Sequence, residues 1–128
     1  MSKAGPKPEV RARQETYQQT VPEVVFKVDP PVVNVKPGET FDILLDCESG
    51  FQVFVPYPEF FEKLDTEAQR VDPKTIPEKP RYNWWRASMT RHQVENNTDI
   101  KEMAYCVYSK DLDNFAVGNS PPKMTLKP

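Results

Sequence analysis

Glycine is scarce in this chain of 128 residues, with 4 copies against 14 prolines, and cysteine and histidine are scarcer, with 2 and 1. Two thiols cannot build a disulfide framework or a four-sulfur zinc site. Cys47 and Cys106 therefore read as two small buried hydrophobes in a reducing compartment, a single bridge between sheets being the geometric alternative. The one imidazole, His92, stands in the polar run Thr90-Arg91-His92-Gln93 and reads as a surface or hydrogen-bonded structural group. Apolar runs stop after a few residues, as in Ile43-Leu44-Leu45 and Val53-Phe54-Val55. A membrane-spanning helix needs ~20, so no membrane insertion is expected. Met1 to Val10 carries lysines with no apolar stretch behind them, so no secretory signal is expected either. The expected location is the cytoplasm or a particle assembled there. An excess of one charge is also missing: 17 basic against 19 acidic residues give a net charge of -2, too balanced to hold a phosphate backbone. Nucleic acid is not an expected partner.

Catalytic signatures are equally thin. No glycine-rich phosphate loop, no HExxH and no CxxC occurs. A nucleophile needs a base within reach; only His92 could serve Cys106, and Cys106 falls in a pattern that puts it inside, where a thiol is inert. The acid pairs Asp111 with Asp113 and Asp42 with Asp46 could act as acid and base or bind calcium. The first pair reads as a turn and the second as the solvent face of a strand. Asn96-Asn97-Thr98 is a glycosylation sequon that matters only in a secreted chain. No enzymatic activity, no cofactor and no metal is expected.

The length suits one domain with a single core. Residues 1 to about 22 mix prolines, charges and glutamines with sparse apolar groups and read as an N-terminal arm. Residues 23–128 read as the folded body. Val24, Phe26 and Val28 alternate with Val25 and Lys27, Asp29-Pro30-Pro31 interrupts that strand, and Val32 to Val35 resumes it. The Lys36-Pro37-Gly38-Glu39 turn leads into residues 40–47, where Phe41, Ile43, Leu45 and Cys47 share a face. Glu48-Ser49-Gly50 then predicts a hairpin into a strand carrying Phe51, Val53 and Val55. Phe60, Phe61, Leu64 and Ala68 predict a short amphipathic helix over 58–70, opened by Pro58. Residues 71–82 hold three prolines and read as a surface crossing to a second sheet. Trp85, Ala87 and Met89 alternate with Trp84, Arg86 and Ser88, and Gln93 to Thr98 reads as a loop. Residues 100–109 are apolar on both faces and read as a central strand. Turns at 110–114 and 118–120 precede a terminal strand over 121–126. The inventory is an all-β, antiparallel two-sheet sandwich of about seven or eight strands with one short helix inserted mid-chain.

The Pro-Gly turn before TFDILLDC, and the stretch AYCVYSKDLDNFAVGNSPPKMTL, resemble an immunoglobulin-like or cupredoxin-like sandwich over residues 24–126. The chain departs from both patterns. Trp84 and Trp85 come late after Cys47 for an immunoglobulin core tryptophan, and one histidine, with none after Cys106, cannot make the copper site of a cupredoxin. The resemblance thus implies a metal-free sandwich without an electron-transfer role. Its expected role is that of a structural or accessory subunit, of the kind that decorates a virion or joins a multi-subunit complex. Its arm would dock on other protein subunits of the same or another kind. The competing expectation is a small carbohydrate- or peptide-binding module in which Tyr57, Tyr82, Trp84, Trp85 and Arg86 form an aromatic binding surface, an exposed tryptophan beside arginine having the composition of a hot spot.

Overall fold

The structure, a computed structural model, describes residues 8–17, 23–29, 32–93, 101–115 and 122–126. These residues form an all-β fold. In chain order the strands are β1 (Glu9–Tyr17), β2 (Glu23–Asp29), β3 (Val32–Val35), β4 (Thr40–Cys47), β5 (Phe51–Phe54) and β6 (Phe61–Leu64). They continue with β7 (Gln69–Arg70), β8 (Asn83–Arg91), β9 (Glu102–Ala104), β10 (Cys106–Ser109), β11 (Asn114–Phe115) and β12 (Lys123–Leu126). A six-stranded sheet runs β2-β1-β4-β8-β6, with β7 also paired to β8; two three-stranded sheets run β11-β10-β5 and β3-β12-β9. The expected antiparallel pair of sheets is corrected here. There are three sheets, and β1 with β4 and β3 with β12 pair in parallel.

The strand patterns read from the sequence hold where one face is plainly apolar. Phe41, Ile43, Leu45 and Cys47 are fully buried along β4, opposite Met89, Ala87, Trp85 and Asn83 of β8. The turn before β4 closes with Glu39 N–H donating to Lys36 O at 3.0 Å, and Gly38 takes φ +79°. The main core draws Val10, Ile43 and Met89 from the large sheet, Val53 and Val107 from one small sheet, and Val33, Met103 and Met124 from the other.

Six expectations change. The helix over 58–70 is replaced by a 3-10 turn at Pro58–Phe60, then β6 and β7. Its backbone donors go to other segments instead: Asp65 N–H to Ser88 O at 3.0 Å and Ala68 N–H to Phe51 O at 3.0 Å. A helix this short is marginal alone, so sheet pairing outweighs its apolar spacing. The hairpin of β4 and β5 does not form, because β4 lies in the large sheet and β5 pairs with β10. Gly50, at φ +90°, carries the chain from one sheet to the other.

The crossing after β7 returns to the same sheet, since β7 and β8 are neighbours. It lies over the outer face of that sheet, where Ile76, Trp84 and Leu44 form a second small apolar cluster. The single strand over 100–109 is two strands in different sheets, divided at Tyr105, whose N–H donates to Pro122 O at 3.0 Å. Ala104 and Cys106 on its other face are exposed, so the burial expected for Cys106 is corrected; Cys47 is buried, and both thiols are free. Finally, residues 9–17 of the expected arm are strand β1, and Val10 has no exposed surface. The Pro30-Pro31 break, residues 94–98 of the expected loop with its sequon, and the turn at 118–120 lie outside the described residues.

Candidate functional site

The five residues expected to form one binding surface are distributed along and across β8. Tyr82 precedes its first residue, while Tyr57 closes a turn onto Phe60, whose carbonyl accepts from His92 N–H just past its last. Ten residue steps at ~3.3 Å separate Tyr82 from His92 along this strand, about 33 Å. Both tyrosines are 40% exposed; Tyr57 makes an edge contact with Phe60 at 6.2 Å between centroids, and Arg81 covers Tyr82 at 5.5 Å. Trp84 and Trp85 take opposite faces, as adjacent strand residues must.

Neither indole is left open. Trp84 is 7% exposed beneath Arg11, whose guanidinium stands 5.4 Å from the ring centre, and its Nε1–H donates to Glu78 O at 2.8 Å. Arg11 also pairs with Glu78 and Glu9, which ties β1 to the crossing. Trp85 donates from Nε1–H to Cys47 O at 2.9 Å and packs on the main core. The structure does not bring these aromatics together into one surface.

Arg86 belongs to a polar cluster on the outer face. Its Nε lies 3.8 Å from Asp42 Oδ2 and makes no hydrogen bond. Ser88 Oγ–H donates to Asp42 Oδ1 at 2.7 Å, and Ser88 N–H donates to Asp65 Oδ2 at 3.1 Å. Asp42, expected on a solvated face, is only 3% exposed. A groove of about 260 Å³ opens above, lined by Asp65, Gln69, Asp72, Thr75, Arg86 and Ser88. The Ser88 hydroxyl is committed to a carboxylate, so the cluster joins β4, β8 and the β6–β7 connection as a polar link.

The other acids clamp backbone. Asp46 accepts from Arg81 N–H at 2.5 Å and Tyr82 N–H at 2.8 Å, fixing the crossing at the start of β8. Asp111 accepts from Glu48 N–H at 2.8 Å and Ser49 N–H at 2.7 Å, fixing the connection between sheets. Asp113, at φ 48°, accepts from the Tyr108 hydroxyl, and that bond raises the tyrosine's pKa. Burial pushes the Cys47 thiol up to about 12, which keeps it protonated and unreactive. Among the described residues no group of three or more His, Cys, Asp or Glu side chains is placed to hold a metal. No helix there is long and apolar enough to cross a membrane.

Two features were not anticipated. On the outer face of the β11-β10-β5 sheet, Phe54 and Phe115 are 50% and 48% exposed, with centroids 6.2 Å apart, and Tyr108 lies 5.3 Å from Phe115. Cys106 stands opposite Phe54 in the same sheet. Strand parity already held the signal, since a face that buries Phe51 and Val53 turns Phe54 outward.

The second feature is the geometry of the N-terminal strands. β2 pairs with β1 over seven consecutive residues, Glu23 to Asp29 against Tyr17 to Arg11. β1 pairs with β4 only from Glu9 to Ala12. Among the described residues, Arg13 to Tyr17 thus have β2 on one side and no strand on the other. This part of the β1–β2 hairpin is a two-stranded ribbon that continues past β4.

No protein-family model, curated protein or solved structure matches the chain.

Proposed function

We infer that the chain is a non-enzymatic structural or accessory subunit of a larger protein assembly, in which the β1–β2 ribbon is the element that docks on a neighbour. The observation that carries this reading is the ribbon itself: strand pairing runs on for five residues of β1 beyond the end of its contact with β4. An isolated two-stranded ribbon is marginally stable in water, so a third strand or a covering surface from a neighbour would complete it. The arm of this reading is a hairpin rooted in the domain by Val10, rather than a loose tail.

The body supports the role of a rigid base. Its core takes residues from all three sheets, and β9 and β10 follow each other through Tyr105. On this reading the two small sheets together act as one layer against the six-stranded sheet, the sandwich of the immunoglobulin-like and cupredoxin-like folds. Phe54, Tyr108 and Phe115 would give the body a second contact face. Two free thiols suit a reducing compartment or a particle assembled in one.

The test is to excise residues 14–26 and join Arg13 to Lys27, opposite one another in the register, through an Asn-Gly turn. Tagged full-length and shortened chains are isolated from their own cells and weighed by native mass spectrometry. A stoichiometric protein complex with the full chain, lost with the shortened chain at unchanged thermal midpoint, is the expected result. Identical complexes from both chains would overturn the reading.

A further inference from the structure

The outer edge of β2 is the end of the six-stranded sheet, and no described strand pairs with it. Sheet edges in proteins are commonly blunted by shortness, charged side chains, proline or a bulge. Two other ends of these sheets show such devices: the pairing of β6 with β8 shifts register between Phe61 and Lys63, and β11 is two residues long. β2 carries charge instead, at Glu23, Lys27 and Asp29, and in the sequence it is bounded by Pro22 and Pro30. It is seven residues long, contains no proline, and pairs with β1 without a break in register. Alternate backbone N–H and C=O groups along it point away from β1, ready to accept one more strand.

The charges of β2 say which strand fits. Its sequence, EVVFKVD, sets Glu23 and Lys27 on either side of Val24-Val25-Phe26. Turned antiparallel about a two-fold axis at Val25, a second β2 puts each Glu23 opposite a Lys27, each Val24 opposite a Phe26, and Val25 opposite itself. Opposite charges facing across a strand pair stabilise it and like charges destabilise it. A two-fold axis one residue later, at Phe26, would set Glu23 against Asp29 and Val25 against Lys27. A parallel copy in register would set Glu against Glu and Lys against Lys.

We propose that β2 is a homodimerisation edge: two copies of this chain join antiparallel through Glu23–Lys27 about a two-fold axis at Val25, making one continuous sheet from their two six-stranded sheets. The proposal rests on the reading of the ribbon as the docking element and names the neighbour as a second copy. Each copy uses the same patch, so the contact closes at two subunits. Five paired residues make a small interface, below the ~1,200 Å² of total buried area that marks stable complexes, so the dimer is weak and concentration-dependent.

The test is sedimentation of the full chain over a concentration series, with charge reversals at the two positions. The wild-type chain shifts from monomer to dimer with concentration. Glu23→Lys or Lys27→Glu alone sets like charges together twice and weakens association about tenfold. The double variant restores it, and an equimolar mixture of the two single variants forms the mixed dimer. In a Cys106→Ser background, Val25→Cys forms a disulfide-linked dimer under mild oxidation, which reads the axis position even where a charge variant folds poorly. A wild-type chain that stays monomeric throughout, single variants that associate like wild type, or a Val25→Cys chain that does not cross-link would overturn the proposal. A monomeric chain that still loses its complex when the ribbon is shortened leaves the docking role standing and removes only the second copy as the neighbour.

Discussion

Trp85 lays its ring against the backbone of Gly50: a Cβ added there would meet Trp85 Cε3 at 3.1 Å. This contact lies where the chain leaves β4 in one sheet to begin β5 in another, and Gly50 holds φ +90° to make the transfer. Replacing Gly50 by alanine combines a disfavoured backbone conformation with a tight approach to a packed ring, and should cost about 2 kcal/mol. Gly38→Ala is the comparison. It also has positive φ, but its Cβ would meet the flexible Gln93 side chain, at 3.0 Å, so the loss there should be smaller, about 1 kcal/mol. Urea denaturation of the two variants checks the order; equal losses would show that Trp85 yields as easily as Gln93.

Val10 is fully buried in the main core although it comes from a polar, proline-rich beginning. The outcome expected of an arm, that its removal leaves the domain's stability unchanged, is therefore reversed for β1. Val10→Ala should lower unfolding free energy by about 2 kcal/mol through lost burial and a residual cavity. Deleting residues 1–12 should lower the thermal midpoint further, because β4 then loses its parallel neighbour. Calorimetry on both variants is the check.

The two cysteines should separate cleanly. Cys106 is exposed and should react with a thiol reagent in the native protein, while Cys47 should react only in denaturant. Burial holds the Cys47 thiol protonated in the fold, its pKa moving from 9.0 to about 12. The unfolded chain ionises at the lower value, so the stabilising contribution is complete below about pH 9 and is lost as pH rises towards 12. The urea midpoint of the wild type should fall over that window more steeply than that of Cys47→Ala.

Asp42, Ser88 and Arg86 should prove coupled. Ser88→Ala removes a hydrogen bond to a buried carboxylate and should cost about 1 to 2 kcal/mol. Asp42→Ala should cost more, since it also removes the counter-charge 3.8 Å from Arg86 Nε. A double-mutant cycle on Asp42 and Ser88 should return a coupling of about 1 kcal/mol. Additive losses would show that the hydroxyl makes its bond elsewhere in solution.

Much of the fold was legible where one strand face is apolar. Phe41, Ile43 and Leu45 announce β4, and Ala87 and Met89 announce the inner face of β8. The segment over 58–70 was not legible, because Phe60, Phe61, Leu64 and Ala68 satisfy a helical spacing as well as they satisfy a turn followed by strands. What decides is long-range: Phe51 and Ser88 take its backbone donors. The same holds for Trp84. Its parity showed that it leaves the main core, but only the path of the crossing shows that Ile76 lies beside it. β1 was hidden for another reason, since EVRARQETY is a poor strand by composition and is held as one by its partners β2 and β4.

Phe54 and Phe51 offer a direct test of the exposed aromatic face, because they lie three residues apart on the same strand with opposite surroundings. Phe51 is fully buried, and Phe54 is half in water against Phe115. Phe51→Ser should cost 3 kcal/mol or more, about the value for removing a core ring, with an added cost for the unpaired hydroxyl. Phe54→Ser and Phe115→Ser should each cost no more than about 1 kcal/mol, since roughly half of each ring is already hydrated in the native state. The same two substitutions should reduce binding of a fluorescent hydrophobic dye to the native chain. If Phe54→Ser proves as costly as Phe51→Ser in dilute monomer, the ring is covered by the chain's own residues in solution. If the losses are small in the monomer but large within the native complex, the face is one on which a neighbour packs.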